Sequence, residues 1–494
     1  MASTQPVPIG QGFYLSPVSP LSIQDCVNYF PFTPIAEDPI TSQWLFPTHG
    51  IEEWVSFNFA VTAMIVHKGE LYCMSGASLY KVSSDGTKTL LGLTSTVNYT
   101  PQLASNGEVI CVQIPEGDGY FYDATNGFRQ ITDSVYTDYQ AEDTGVLGVT
   151  SLDGYFLFCT SRTVFHTDSV VELTLGTDFP ALAFASGEDR PDDNMRPIRY
   201  KGELVLFGTQ SYEVWRNVGT EPFVFQRIDG ATQDKGLKTY GGITLIDNTF
   251  YFVGQGPNEE SAVWRHTGGA PQKVSTSAID NILNQSTGGL AYLDNAWSYS
   301  LDGHTFCGFS PNIAGGSPSL VYDITQSSLS SLPKWHRRKS PGSEFYNVSC
   351  CISAYDSILV GHATGIGIFK SDVYTDLGTE LSRYFSGQFL RNGGDVFNLS
   401  KVQLWGDYGL GLTEWDAGDG NIDPQVSFEY TFNFGRTWKS KGLRSMGKSG
   451  EYGKESVWRR LGRVPNTVAF KFTTETKART AFYSLGVKAR GGDE

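Results

Sequence analysis

Residues 149–168 read VTSLDGYFLFCTSRTVFHTD: an apolar run, the turn pair Asp153-Gly154, a second apolar run through Cys159, a polar gap, and a third segment rich in aromatics. A two-residue primed turn needs positive φ, so Asp-Gly between two such runs marks a β-hairpin. The unit recurs at 64–82 (MIVHKGELYCMSGASLYKV), 103–124, 198–217 (IRYKGELVLFGTQSYEVWRN), 243–266, 290–310 and 352–372. Its turns fall at Lys68-Gly69, Asn106-Gly107, Asp153-Gly154, Lys201-Gly202, Asp247-Asn248, Asp294-Asn295 and Asp356-Ser357, mostly 38 to 48 residues apart. The last interval widens to 62 through a Gly/Ser/Pro-rich, basic insertion at 310–345.

Three or four strands every 40 to 50 residues or so is the size of a propeller blade, and radial stacking buries faces that no blade buries alone. The expected fold is all-β: a β-propeller of about seven blades with an N-terminal extended arm and a C-terminal β-sandwich-like domain. Three regions follow: a Pro-rich arm (1–60), the propeller body (61–378) and an antiparallel β domain (379–494). The lone Trp-Asp pair, Trp415-Asp416, lies outside the repeats, so they are not of WD40 type. A large β-sandwich with coincidentally spaced hairpins is the competing arrangement.

The arm holds eight of the 22 prolines, which argues against helix or central strand there. Its aromatics (Phe13, Tyr14, Tyr29, Phe30, Phe32, Trp44, Phe46) would be costly to leave in water, so it packs on the body or on a neighbouring subunit. Beyond 378 the period is lost, and VFNLSKVQLWG (396–406), QVSFEYTFNFG (425–435) and NTVAFKFTTE (466–475) alternate as half-buried strands do. One short helix is expected at Ser277 to Asn284.

The formal charge of −15 argues against a DNA-wrapping surface, which would be basic. It is unevenly spread, about +9 over 431–494 and −24 over 1–430. No run of 18 apolar residues exists and no Lys or Arg precedes Lys68, so neither a membrane span nor a signal peptide is expected. Seven cysteines without CxxC spacing read as reduced core residues, and seven scattered histidines give no metal pattern. No cofactor is expected.

Gly442 to Ser449 fits GxxxxGK[ST] letter for letter, but no buried strand leads in and no helix-forming run leads out, so it reads as a glycine-rich loop. Thr431 to Trp438 resembles an Asp-box hairpin, with Asn433, Gly435, Thr437 and Trp438 as its structural residues. Adjacent carboxylates such as Glu52-Glu53, Glu188-Asp189, Asp192-Asp193 and Glu259-Glu260 face opposite ways on a strand and read as solvated loops. No GxSxG elbow occurs, and no catalytic residue is assigned. The compact basic cluster Lys334, Trp335, His336, Arg337, Arg338, Lys339 reads as an exposed loop offering contact to DNA phosphates or to a partner's acidic surface.

Taken together, CVNYFPF (26–32), FPTHGIEEW (46–54), FVFQRIDGATQDKGL (223–237), FNFGRTW (432–438) and GEYGKESVWRRLGR (450–463) resemble the tail hub proteins of P22-like short-tailed bacteriophages, also called packaged-DNA stabilisation or tail nozzle proteins. The resemblance spans nearly the whole chain. It implies a non-enzymatic virion protein of the phage tail, assembled in the host cytoplasm as a hexameric ring. Its implied partners are the tail adaptor below the portal, a tailspike or fibre, a needle or plug protein and, in transit, the phage genome. The alternatives are a sugar-active propeller enzyme, such as a capsule depolymerase or a sialidase-like protein, and a propeller scaffold for protein–protein contact.

Overall fold

The computed structural model describes residues 4–9, 11–16, 22–34, 43–95, 99–142, 144–168, 178–187, 190, 192–286, 295–393, 395–413 and 422–491. Within them, seven blades follow one another: 1 (61–93), 2 (102–130), 3 (148–186) and 4 (194–227) are separate four-stranded antiparallel sheets, 5 (236–273) is five-stranded, 6 (295–338) is part of an eleven-stranded sheet and 7 (348–370), completed by Gly50–Ser56, is part of a six-stranded one. The second strand of a blade, such as Ile110–Gln113 or Tyr155–Cys159, is buried almost throughout because each face packs on a neighbouring blade. Hence YFLFC and ELYCM read as near-continuous apolar runs, with Cys159 and Cys73 inside them. Separate apolar cores fill every blade interface around the ring, including blade 7 against blade 1 through Val55, Val61, Leu71 and Leu359.

The hairpin turns have the expected positive φ at Lys68-Gly69, Asp153-Gly154, Lys201-Gly202 and Asp247-Asn248. Two turns are displaced from the expected places. Blade 6 turns at Asp302-Gly303, and Asn295 opens its inner strand Asn295–Leu301; blade 7 turns at Tyr355-Asp356. Asp294 lies outside the described residues. The supposed insertion 310–345 is no insertion: it supplies the outer strands of blade 6, Ser319–Asp323 and Lys334–Arg338, joined through the helix Ile324–Ser328. The expected short helix spans Ser277–Leu283, and a further one, Ser134–Gln140, is capped by the Asp133 carboxylate on the Val135 amide.

The C-terminal domain packs two sheets around one core that includes Trp458, Phe428, Phe472 and Phe482. One sheet runs Tyr29–Phe32, Trp44–Pro47, Phe482–Gly491, Phe397–Gly406, Ser456–Val464; the other runs Ser382–Ser386, Thr467–Glu475, Gln425–Thr431, Lys439–Ser445. The first 60 residues are therefore not an extended arm. They contribute strands to both domains of this same chain, and three of these strands have neighbours on both sides: Gly50–Ser56 in blade 7, Ile23–Val27 between the domains and Trp44–Pro47 in the sandwich. The first two contain no proline, whereas Pro6 and Pro31 sit in edge strands and Pro47 is the last residue of its strand, which is why the proline count misled.

Blade 7 thus joins sequence ends some 300 residues apart, and Gly50–Ser56 closes the ring. Ile51, buried between blades 6 and 7, should cost about 2–5 kcal/mol when replaced by Ala, while the exposed Glu53→Ala should stay within about 0.5 kcal/mol. Urea unfolding monitored by circular dichroism checks both.

Candidate functional site at the domain junction and the basic edge

Lys334–Arg338 is the outer strand of blade 6, paired antiparallel with Ser319–Asp323 and, at Arg337, in parallel with Val27. The expected exposed basic loop is therefore a buried strand, and this corrects its assignment as a DNA or partner contact. Trp335, His336 and Arg338 are each no more than 1% exposed, and Trp335 Nε1 donates to the Val274 carbonyl at 3.0 Å. Lys334 is buried too, and burial lowers its ammonium pKa. Only Lys339 reaches outward, and it pairs with Glu344 at 2.8 Å.

Charge compensation explains the burial. Arg337 Nε donates to Asp25 Oδ1 at 3.0 Å, and its Nη2 reaches both Asp25 Oδ2 and, at 3.1 Å, Tyr384 Oη. The Tyr384 hydroxyl donates to the same Asp25 carboxylate at 2.8 Å, and the Phe13 ring lies 4.9 Å from the guanidinium. One triad thus joins the N-terminal strand, blade 6 and the sandwich. Arg338 donates to Tyr299 Oη at 3.1 Å and to the His49 carbonyl at 2.5 Å, beneath the rings of Tyr346 and Phe369. Asn28, at φ 57°, donates to the carbonyls of Lys339 (3.0 Å) and Ser382 (2.9 Å) and accepts from the Lys339 amide at 3.0 Å. Asp25, Asn28 and Tyr384 escaped the sequence reading. The available signal was Asp25 itself, a single acid inside the apolar run 23–30 that demands a buried cation.

Around this junction burial dominates the titrations. His336 is held well below its ordinary value by burial and then by Arg338, and His49 is lowered to about 4 by the same two causes. The Asp376 carboxyl is raised by burial to about 6.

The Asp-box residues do form a hairpin turn between Gln425–Thr431 and Lys439–Ser445. Asn433 Oδ1 accepts from the Thr437 amide at 3.0 Å, the Thr431 hydroxyl accepts from the Gly435 amide at 3.1 Å, and Trp438 lies half-buried beside Lys471. Gly442 to Ser449 covers the end of an antiparallel edge strand and a turn, so its amides face no helix N-terminus. Of the carboxylate pairs, Asp192 accepts from the Gln210 and Ser211 amides, Glu259 pairs with Lys235, and Glu52 and Glu53 are exposed on blade 7; Glu188 and Asp189 lie outside the described residues. Among the described residues no group of His, Cys, Asp or Glu is placed to hold a metal ion, and no helix is long and apolar enough to cross a membrane.

The exposed positive charge lies elsewhere. Lys439–Ser445 and Ser456–Val464 are the last strands of the two sandwich sheets, and they lie side by side: Trp458 Nε1 donates to the Gly442 carbonyl at 3.0 Å and Arg444 Nε to that of Val457 at 2.9 Å. This double edge exposes Lys439, Arg444, Arg459, Arg460 and Arg463, none of which forms an ion pair with a described carboxylate. The propeller axis, by contrast, holds a cavity of ≈ 350 Å³ whose wall draws on all seven blades, including Thr62, Gln102, Thr150, Arg196, Ile243, Asn295 and Ser349.

Two family models divide the chain as the sheets do. That of the bacteriophage P22 Gp10 β-propeller matches residues 26–374, and that of the P22 Gp10 β-sandwich matches 382–490. The chain belongs to the bacteriophage P22 Gp10 family. It is a phage structural protein, in a family of virion proteins, with a propeller followed by a sandwich. No curated protein matches its sequence. Solved structures with some likeness include PorZ of the type-IX secretion system of Porphyromonas gingivalis, at 9% identity and TM-score 0.37 over 73% of this chain and 45% of that one. Another is the extracellular domain of a putative one-component system of B. thetaiotaomicron, at 10% identity and TM-score 0.39 over 83% and 48%. The chain spans less than half of either. In this Gp10-family chain the strand Ile23–Val27, which runs across the start of the propeller match, is the stitch between the two matched regions.

Removing one partner from the Arg337 triad leaves a buried charge, so Arg337→Ala should cost about 3–5 kcal/mol, with strong coupling to Asp25→Asn in a double-mutant cycle and no change in DNA affinity. Denaturant titration and a fluorescence DNA-binding assay check this.

Acid provides a second check. Because the native state holds His49 near 4 against an ordinary 6.5, it binds fewer protons than the unfolded chain between these values. That stability is present above pH 6.5 and lost as pH falls through 4; Asp376 acts oppositely between about 6 and 3.8. With His336 adding to the His49 side, the urea midpoint should fall from pH 6.5 to 4, and His336→Leu should make the fall shallower.

Proposed function

We propose that this chain is the tail hub, or nozzle, of a short-tailed phage: a six-copy ring below the portal and its adaptor that extends the DNA channel, retains the packaged genome and carries tailspikes or fibres and the needle or plug. The family membership carries this reading. The double-domain body supports it, since the Ile23–Val27 stitch gives two rigid modules fixed against each other with loops free on their rims.

The DNA path in this reading runs between copies. The two adjoining cavities along the propeller's inner strands, ≈ 350 and ≈ 550 Å³, each admit a small molecule, not a duplex whose major groove alone is about 12 Å wide. A balance of −24 over residues 1–430 suits a wall that DNA slides past without adhering, because a basic lumen would release counterions and hold it. The basic double edge then meets an acidic face of a neighbouring subunit, and that contact weakens as salt rises because exposed charges are screened beyond about 8 Å at 0.15 M.

Negative-stain images of the purified protein, or of tails carrying it, should show a ring with an axial hole. Lys439→Glu, Arg459→Glu and Arg463→Glu combined should reduce ring assembly or tail attachment at least tenfold while leaving the unfolding midpoint in place. Duplex DNA should bind the isolated wild type weakly at 0.15 M salt. Tight duplex binding lost in the triple variant would replace the conduit with a direct DNA clamp.

A further inference from the structure

Two adjoining cavities run along the inner strands of the propeller. The first, ≈ 350 Å³, is walled by all seven blades; the second, ≈ 550 Å³, opens among the hairpin turns of blades 1, 2 and 3 at Lys68, Gly107 and Gly154. Leu103, Thr150 and Arg199 belong to both walls, so the cavities meet there. Arg199 is the one described residue of blade 4 in the second wall, whose other members come from blades 1 to 3. Its side chain therefore crosses from the inner strand Asn194–Tyr200 into the space beside those blades. Arg196, three residues earlier, leaves the opposite face of the strand: its Nη1 donates to the Tyr240 carbonyl of blade 5 at 2.9 Å, and the guanidinium lies 5.2 Å from the Tyr240 ring.

The charges at this joint are not balanced. Arg196 and Arg199 are the only charged residues described in the first wall. Arg199 is exposed and forms no ion pair or hydrogen bond with a described residue. Arg196 is half-buried; burial lowers its pKa, and no carboxylate stands close enough to offset this. The second wall adds Lys68, which pairs with Glu108 at 2.5 Å, and Asp153, whose carboxylate accepts from Asn217 Nδ2 at 2.9 Å. Asn217 ends the third strand of blade 4, so that bond holds Asp153 away from the axis. Two guanidinium charges on one inner strand are thus left without a counter-ion, in a chain whose formal charge is −15. A cleft lined by one sign of charge concentrates ions of the other.

The chemistry narrows the occupant. A phosphate group carries about −1.5 to −2 at pH 7 and answers both cations, whereas a single carboxylate leaves one unanswered. The guanidinium fork matches two phosphate oxygens, and the Thr150 hydroxyl, half-buried at the same joint and without a described hydrogen-bond partner, offers a further donor. Both volumes fall in the roughly 300–1,000 Å³ range of small-molecule sites.

We propose that the joint between the two cavities binds one phosphate group, held by Arg199 and Thr150 in the field of Arg196, either as inorganic phosphate or as the terminal phosphate of a small molecule. The proposal does not rest on the tail-hub reading, because nothing in it depends on ring formation or on the genome.

The test is isothermal titration calorimetry on the full chain, in chloride buffer, with sodium phosphate, AMP and sodium acetate. Phosphate, AMP or both should bind at one site per chain, and acetate should not. Binding of AMP identifies a terminal phosphate; binding of inorganic phosphate alone identifies a free ion. Arg199→Ala, at an exposed position, should weaken binding about tenfold or more with an unchanged unfolding midpoint, and Arg199→Lys, which keeps the charge without the fork, should fall between. The combined Lys439→Glu, Arg459→Glu and Arg463→Glu variant should keep wild-type affinity, which separates the axial site from the basic edge. The proposal is overturned if neither phosphate nor AMP binds, if acetate binds as tightly, if Arg199→Ala retains wild-type affinity, or if the edge variant loses the binding.

Discussion

The strand Ile23–Val27 has no free edge, and the arrangement of the two domains depends on that. Val27 pairs in parallel with Arg337 of blade 6, while Asp25 to Val27 pair antiparallel with Tyr384 to Ser386 of the sandwich. One continuous sheet therefore runs from the inner strand of blade 6 out to Lys439–Ser445. Backbone pairing fixes spacing and register but leaves a blade edge open to the wrong partner. The Arg337–Asp25–Tyr384 triad selects the right one, since a slip by one residue would turn Asp25 to the other face and strand a cation in the core. Here the buried ion pair acts as a registry device. It is weak as a source of net stability, and strong as a penalty on alternatives.

That arrangement places a demand on folding. Gly50–Ser56 finds its partner only when Gly365–Lys370 exists, and Trp44–Pro47 waits for Phe482–Gly491. Such distant pairings are slow to form, and the aromatic N-terminal segment, beyond its local pairs Tyr14–Leu15 with Ile23–Val27 and Tyr29–Phe32 with Trp44–Pro47, lacks its partners until the chain is nearly complete. Prolines in its edge strands, at Pro6 and Pro31, remove ladder donors and discourage pairing with other chains in the interval. The composition that argued against strands in this segment is one of the properties that lets the strands wait.

The propeller was legible because its information is local. Four of the seven turns stand where the period puts them with both residues at positive φ, and the buried second strands announce themselves as apolar runs. Blade 6 was misread for a local reason as well: its Asp302-Gly303 turn was in plain view, but Asp294-Asn295 fitted the period better, and the error turned a pair of outer strands into an insertion. The junction was illegible because its partners are more than 300 residues apart, as Asp25 is from Arg337. Six basic or aromatic letters in a row describe a surface patch and a compensated buried strand equally well. Burial, which decides between them, is a property of the partner strand and not of the run itself. The hairpin at Thr431 to Trp438 sits at the other extreme, with every contact within a few residues.

This distinction changes what the charge of the protein means to anything that approaches it. Of the basic residues in 334–339, Arg337 and Lys339 are neutralised by Asp25 and Glu344, and Lys334 and Arg338 are buried, so none presents a free exposed cation to a partner. The cations at Lys439, Arg444, Arg459, Arg460 and Arg463 are exposed on two adjacent edge strands, and their potentials add within a Debye length of about 8 Å. A partner therefore meets one positive edge on an otherwise acidic body. Charged edge strands also keep like edges of two copies apart, so edge-to-edge pairing of sandwiches is disfavoured and an acidic flank is the surface that attracts. Contact of a positive edge with an acidic flank is heterologous, each copy offering one surface and receiving the other. A heterologous contact closes into a ring when its rotation permits, whereas a self-complementary one stops at a pair. In the proposed ring, the asymmetry of charge along the chain supplies the two complementary surfaces that such a contact needs.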